Sequence, residues 1–370
     1  MAERVVDERV VAVPDEKGDP KVTGERVSEE ARPAPARPRR SGAFATRGRR
    51  VQFVVALTVL IVLSVSFTIG LLMWDNPIPW GDPRWWIIAK SRFEGIIAMA
   101  IVAFSQSIAT VAFQTATSNR IITPSILGFD SLYVAVQTTA IYVMGISGVV
   151  MLQGVAQFAL MVVLMLGLSL GLFGWLLSGR YGNLHVMLLV GIVIGGGLGS
   201  VSAFMQRLLT PSEFDVLTAR MFGSVSNADT SYYPLAIPLC VIAGGLLLAR
   251  ARVLNVVALG RDMANGLGIN HKAEVIRILV LVSVLMAVST ALVGRMTFLG
   301  FLVAMLAYQI SGTEDHRYVL PISMLCGYTV LTGAYFLMRN VFSFASVVSI
   351  AIEFVGGIIF LAVILKRGRL

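Results

Sequence analysis

Several stretches of this chain stay apolar for longer than the helix of a water-soluble core requires. Residues 51–73 and 186–205 carry no charged side chain at all. A helix rises 1.5 Å per residue, so about 20 such residues cross the hydrocarbon of a bilayer. The rest of the sequence agrees. It is 56% hydrophobic and 14% charged, with a mean hydropathy of +0.79. A soluble domain is closer to a quarter charged, because its surface has to be solvated. The expected fold class is therefore all-α, a polytopic membrane protein.

Spans are expected at about 51–73, 93–114, 154–177, 184–208, 233–250, 274–293, 318–338 and 347–365. Two weaker ones fall at about 124–148, interrupted by Pro124 and Gly128, and about 297–311. The total is about ten transmembrane helices. An even count puts both termini on one side. The basic run Arg37, Arg39, Arg40, Arg47, Arg49 and Arg50, with Lys366, Arg367 and Arg369 at the other end, makes that side the cytoplasm. Residues 1–50 are polar and charged, too poor in apolar residues to fold alone, and are expected to be a disordered basic cytoplasmic tail. Residues 51–370 form the transmembrane domain. Tryptophans at 74, 80, 85 and 86 mark an outer interfacial belt.

The net charge of +9 flanks apolar spans and forms no continuous face, so no nucleic-acid partner is expected. Cys240 and Cys326 lie in apolar runs and read as small core residues. His185, His271 and His316 have no second ligand at metal spacing, so no metal site and no cofactor are expected. No nucleophile–base pair and no P-loop occur, which argues against an enzyme and against ATP hydrolysis by this chain itself. Polar groups inside spans are costly in hydrocarbon. Gln106, Ser107, Gln114, Asp130 and Glu353 are therefore singled out, with an interhelical hydrogen bond or an interfacial position as the plain explanation for each. Gly195 and Gly199 have the spacing that lets helices approach closely.

The cytoplasmic loop beginning at Arg250 is the most distinctive segment. Part apolar and punctuated by Gly260, Gly266 and Gly268, it suits a short helix that docks in a partner's groove, or one that lies at the membrane interface. Its core, Leu259-Gly-Arg-Asp-Met-Ala-Asn-Gly-Leu-Gly-Ile, resembles the coupling segment of ABC-importer permeases for iron–siderophore complexes, haem and vitamin B12. The matching positions are Leu259, Gly260, Ala264, Leu267, Gly268 and Ile269. Residues 113–133, 217–226 and 294–304, and the turn Asp315-His-Arg-Tyr-Val-Leu-Pro, resemble further family segments in the family's order. The form of residues 113–133 is similar to the catecholate (petrobactin- and anguibactin-type) siderophore branch. Arg295 stands where the family usually has proline, and Met305 where the vitamin B12 branch has Pro-His.

The resemblance implies a permease in the bacterial cytoplasmic membrane. It implies separate ABC ATPase subunits, an external siderophore-binding protein (a lipoprotein or a periplasmic protein) and a second permease subunit, identical or sister. Iron–siderophore would pass along a subunit interface lined by the second, fifth, eighth and tenth spans, with Gln114 and Asn119 on the pathway. Arg92 and Arg339 would meet carboxylates of the binding protein, with Lys90 and Arg295 in support. Haem is the alternative substrate. A secondary transporter without ATP is the alternative mechanism.

Overall fold

The computed structural model describes residues 46–74, 82–151, 154–178, 184–221, 228–342 and 348–367, with positions 13–14, 20–21, 44, 78, 223 and 225 besides. The chain divides into two units, Met1–Gly42 and Ala43–Leu370. In the first, Val13–Pro14 and Pro20–Lys21 pair antiparallel, Val13 opposite Lys21. The rest of that unit, which holds most of the expected tail, lies outside the described residues.

The second unit is helical. Its helices are α1 (Arg47–Met73), α2 (Pro83–Ala116), α3 (Asp130–Met151), α4 (Val155–Ser178), α5 (Leu184–Gln206), α6 (Pro211–Met221), α7 (Tyr233–Ala249), α8 (Ala251–Val257), α9 (Arg261–Gly266), α10 (His271–Val293), α11 (Leu299–Ser311), α12 (His316–Asn340) and α13 (Val348–Arg367). Among the described residues, eight helices are long and apolar enough to cross a membrane. The apolar segments Val155–Gly171 and Leu299–Ser311 are shorter. Together these are the ten segments expected.

Local chemistry sets the ends. Thr46 caps α1 by accepting the Arg49 N–H at 3.2 Å, so the helix starts before the apolar run does. Asp82 followed by Pro83 is a strong helix start, and Asp82 accepts the Arg84 N–H at 2.8 Å. This cap carries α2 to 34 residues, about 51 Å at 1.5 Å per residue, well beyond the span expected from hydropathy.

The long helix α2 is the axis of the bundle, and α7, α10, α11 and α12 pack around it. Helix α1 lies on α12, α3 on α5, and α13 on α11 and α12. Much of α1 is exposed, including Val55, Val62 and Ile69. Such a face suits lipid, which is as apolar as the side chains themselves.

Small residues allow the close contacts. A Cβ on Gly300 of α11 would overlap the Thr110 hydroxyl, and one on Gly327 of α12 would overlap that of Ser107. On α5 the close pair is Gly191 and Gly195, set against Leu127 and Gly128 of the π-helical turn Ser125–Phe129. A Cβ on Gly199, the expected partner of Gly195, would meet nothing within 4 Å. The four-residue spacing is thus used one turn earlier, because the interrupted segment ahead of α3 reaches α5 there. Substitution of Gly300 by valine is expected to lower stability by about 1–3 kcal/mol, the usual effect of overpacking. A thermal unfolding series of the detergent-solubilised protein would register this, whereas Gly199→Val should leave the midpoint nearly unchanged.

Candidate functional site

The distinctive loop folds into two short helices. Helix α7 stops at Arg250, which sits at a bend and begins α8. The Arg250 guanidinium bonds Glu274 at 2.7 Å, and Arg277 bonds the same carboxylate at 2.5 Å. The root of the loop is thereby fastened to α10. Leu254 and Val257 are buried beneath α8.

Gly260 then turns the chain with φ +89°, a region open to glycine and strained for other residues. Six residues of helix follow. At the far end the Ile269 N–H reaches the Ala264 carbonyl, and the Gly268 N–H reaches that of Asn265. Gly268 has φ +82°. These crossed bonds are a Schellman closure, which satisfies carbonyls that the helix end would leave open. The Asn265 side chain accepts the His271 N–H at 3.1 Å and joins the stop to the start of α10.

The sequence-derived residues of this loop therefore lie together, in different roles. Ala264 is fully buried and roots α9. Gly260 and Gly268 bracket it. Leu259 and Leu267 are 59% and 64% exposed, and between them stands Met263 at 67%. Met263 lies on α9, Leu267 caps its end and Leu259 precedes the Gly260 turn, so three exposed apolar side chains gather around this short helix. Met263 was not singled out from the sequence, although it is an apolar side chain between two polar neighbours in the glycine-marked loop, Asp262 and Asn265 flanking the Met263-Ala264 pair.

At the C-terminal end of α2, a cavity of about 250 Å³ is lined by Gln114, Arg120, Phe301, Met305, Tyr308 and Val363. The second, eighth and tenth expected spans meet there. Gln114 is buried, and its amide donates to the Arg120 carbonyl at 2.7 Å, while its Oε1 has no hydrogen-bond partner. The Arg120 guanidinium lies 4.5 Å from the centre of the Tyr308 ring and pairs with Glu314. Asn119 does not line this cavity. Its side chain accepts the Ile121 N–H at 2.9 Å and shapes the turn leaving α2.

At the opposite end of α2, Arg92 donates through Nη1 to the carbonyls of Trp74 at 2.7 Å, Leu71 at 3.3 Å and Leu72 at 3.4 Å. It thus closes the C-terminus of α1, where carbonyls lack helical partners and the dipole favours a cation. Arg339 is half-buried in the last turn of α12.

Asp130 and Glu353 come together through a residue not singled out from the sequence. The Thr297 hydroxyl donates to Asp130 at 2.6 Å, and its backbone N–H donates to Glu353 at 3.3 Å. Thr297 sits in the non-helical connection from α10 to α11, so α3 and α13 are both held at that break.

At the start of α12, Asp315 caps the helix and grips Arg317 through a double hydrogen bond as short as 2.6 Å. Arg317, and after it the Asn255 amide, hold its carboxyl down to about 2. A carboxylate depressed on folding stabilises the fold above its unfolded value, about 4, and loses that contribution as pH falls toward the folded one. The stability difference between the parent and Asp315→Asn should therefore be flat above pH about 4 and shrink below it. Thermal midpoints of the two proteins across an acid series check this.

The comparisons with known proteins agree with this arrangement. The pattern of the FecCD transport family matches residues 53–366. The petrobactin import system permease protein FatC of Bacillus anthracis is 48% identical over 332 residues, covering 90% of this chain and 94% of its own. The petrobactin import system permease protein YclO of Bacillus subtilis (strain 168) is 35% identical over 321 residues, covering 86% and 98%. A metal-chelate type ABC transporter solved in an inward-facing conformation shares the fold, with a TM-score of 0.71 at 20% identity, over 86% of this chain and 99% of its own. A match across nearly the whole second unit, with two relatives well above 30% identity, places the protein: it is a multi-pass membrane protein that belongs to the FecCD transport family, whose members carry solutes rather than catalyse reactions.

Proposed function

We propose that this chain is the permease subunit of an ATP-binding-cassette importer for iron–siderophore chelates of the petrobactin class. The observation that carries the reading is the exposed apolar trio Leu259, Met263 and Leu267, gathered around a short helix that Gly260 and Gly268 close at either end with positive φ. An apolar face on a six-residue helix is too short to cross or anchor in a membrane, and it suits a groove on a partner. The partner is a separate ATPase subunit, since no P-loop occurs in this sequence. The chelate class rests on the two petrobactin permeases to which the chain is similar.

In this reading both termini and the preceding basic tail are cytoplasmic, and α9 faces the ATPase. The cavity at Gln114 is the inner end of the pathway, completed by a second permease subunit. Asn119 acts by shaping the mouth of that pathway. On the outer face, Arg339 receives an external binding protein, helped by the exposed Lys90. Arg92 contributes through the α1 end that it closes.

Gly260→Pro and Leu267→Asp test the ATPase-facing role. Proline cannot adopt φ +89°, and a carboxylate has no place in an apolar groove. Both variants should insert in the membrane yet lose chelate uptake and ATPase coupling; normal uptake would sink the assignment. For the outer face, Arg339→Glu should weaken binding-protein affinity at low salt, with the deficit shrinking as salt screens the charge. An affinity that does not change at low ionic strength removes Arg339 from the docking surface.

A further inference from the structure

A continuous hydrogen-bonded chain joins α8, just ahead of the partner-facing trio, to the C-terminal end of α2. It starts at Asn255, four residues before Leu259. The Asn255 carbonyl oxygen accepts the backbone N–H of His316 at 2.8 Å, while its amide nitrogen donates to Asp315 at 2.8 Å. A backbone N–H can only donate and a carboxylate accepts, so the orientation of this amide is fixed from both sides. The same Asn255 oxygen lies 2.6 Å from Nδ1 of His316, which must then carry its proton. A neutral imidazole in that tautomer offers Nε2 as an acceptor. The Thr115 hydroxyl stands 2.6 Å from Nε2.

Thr115 is the neighbour of Gln114, which lines the inner cavity, and its hydroxyl also lies 2.8 Å from the Val111 carbonyl one turn earlier on α2. His316 and Thr115 are buried. Water therefore does not compete for these bonds, and an unmade one leaves a buried polar group unpaired. Three separate helices, α8, α12 and α2, are joined this way.

We propose that Asn255, His316 and Thr115 are positioning residues of the transport cycle, carrying displacement of the partner-facing loop into the inner cavity. They touch neither the ATPase surface nor the pathway. The inference rests on the reading of α9 as the ATPase-facing helix. Asn255 shares α8 with the approach to that trio, so a shift of α9 on its partner moves the amide. The fixed amide moves the ring, and the ring moves the Thr115 end of α2, and with it Gln114 at the cavity.

The test uses the whole transporter, this permease with its ATPase and binding protein, in liposomes supplied with ferric petrobactin. Uptake and ATP hydrolysis are measured together. Thr115→Val, which keeps the shape and removes the hydroxyl, should assemble and hydrolyse ATP while uptake per ATP falls about tenfold, the scale of coupling between linked sites. Thr115→Ser, which keeps the hydroxyl, should behave as the parent. Thr115→Val combined with Asn255→Ala should be no worse than Asn255→Ala alone, as expected for residues on one link.

Parental uptake per ATP in Thr115→Val overturns the proposal. So does a Thr115→Ser defect as deep as that of valine, which would mean packing alone, and so does additivity in the double variant. If Asn255→Ala does not assemble, the valine and serine pair decides by itself. Leu267→Asp in the same liposomes separates the two readings. Normal transport there removes the ATPase-facing helix, whereas a dead Leu267→Asp beside a normal Thr115→Val removes only the link.

Discussion

A peptide group left without a hydrogen-bond partner in hydrocarbon costs several kcal/mol, and no water is present to relieve it. That constraint forces every crossing of this chain into a helix, and it forces polar side chains inward. Helix α2 shows the consequence most plainly. It carries Ser105, Gln106, Ser107, Thr110, Gln114 and Thr115, all buried. Three of them are met from neighbouring helices. Gln106 reaches Ser289 of α10 at 3.2 Å, Ser105 meets Cys240 of α7 at 3.1 Å, and Thr115 meets His316 of α12. Apolar packing against lipid-like surfaces does not choose neighbours, because lipid tails are equally apolar. The polar seam and the glycines facing it fix which helices surround α2, and in what register.

The same constraint explains why function gathers where helices break. The chain leaves regular helix at the π-turn before α3, at the α10–α11 connection and at residues 258–260 of the loop. In each place the exposed backbone is closed by a side chain or by a glycine geometry. Thr297 at the α10–α11 break finds Glu353, and its hydroxyl finds Asp130. A break costs stability unless such partners exist. It also provides a joint at which one helix can turn relative to the next, which a transport cycle requires.

Much of this was legible in the sequence, and the rest was hidden for definite reasons. The spans are composition written along a line, so hydropathy finds them. The partner-facing loop is local, and its glycines announce the turns. The length of α2 was present in Asp82-Pro83, a capping signal that hydropathy ignores. By contrast, the role of Arg92 depends on carbonyls 18 to 21 residues away, whose position only the fold supplies. Gly191 rather than Gly199 is the close partner of the Gly195 turn for a similar reason: spacing shows that a helix can be approached, and only the neighbour decides where. Thr297 was invisible because threonine is ordinary, and its importance comes from lying between two carboxylates distant in sequence.

Read as proposed, the loop around α9 also shows what an energy-transmitting element needs physically. Apolar residues on a flexible loop would lose their binding energy to ordering the loop, and a push from the partner would be absorbed by the backbone. Here the Schellman closure, the buried Ala264 and the Asn265–His271 bond hold α9 as one piece. Arg250, Glu274 and Arg277 fasten its root to α10. Glu274 is 9% exposed, so water screens these pairs less than it would at the surface. Rigidity on the partner side is then matched by a small number of directional bonds on the membrane side, through Asn255 and His316. A displacement has fewer places to dissipate than it would in a continuous apolar contact, because a hydrogen bond weakens steeply with angle and resists sliding. In the proposed reading, the exposed apolar residues supply affinity for the partner, and the polar groups behind them supply direction.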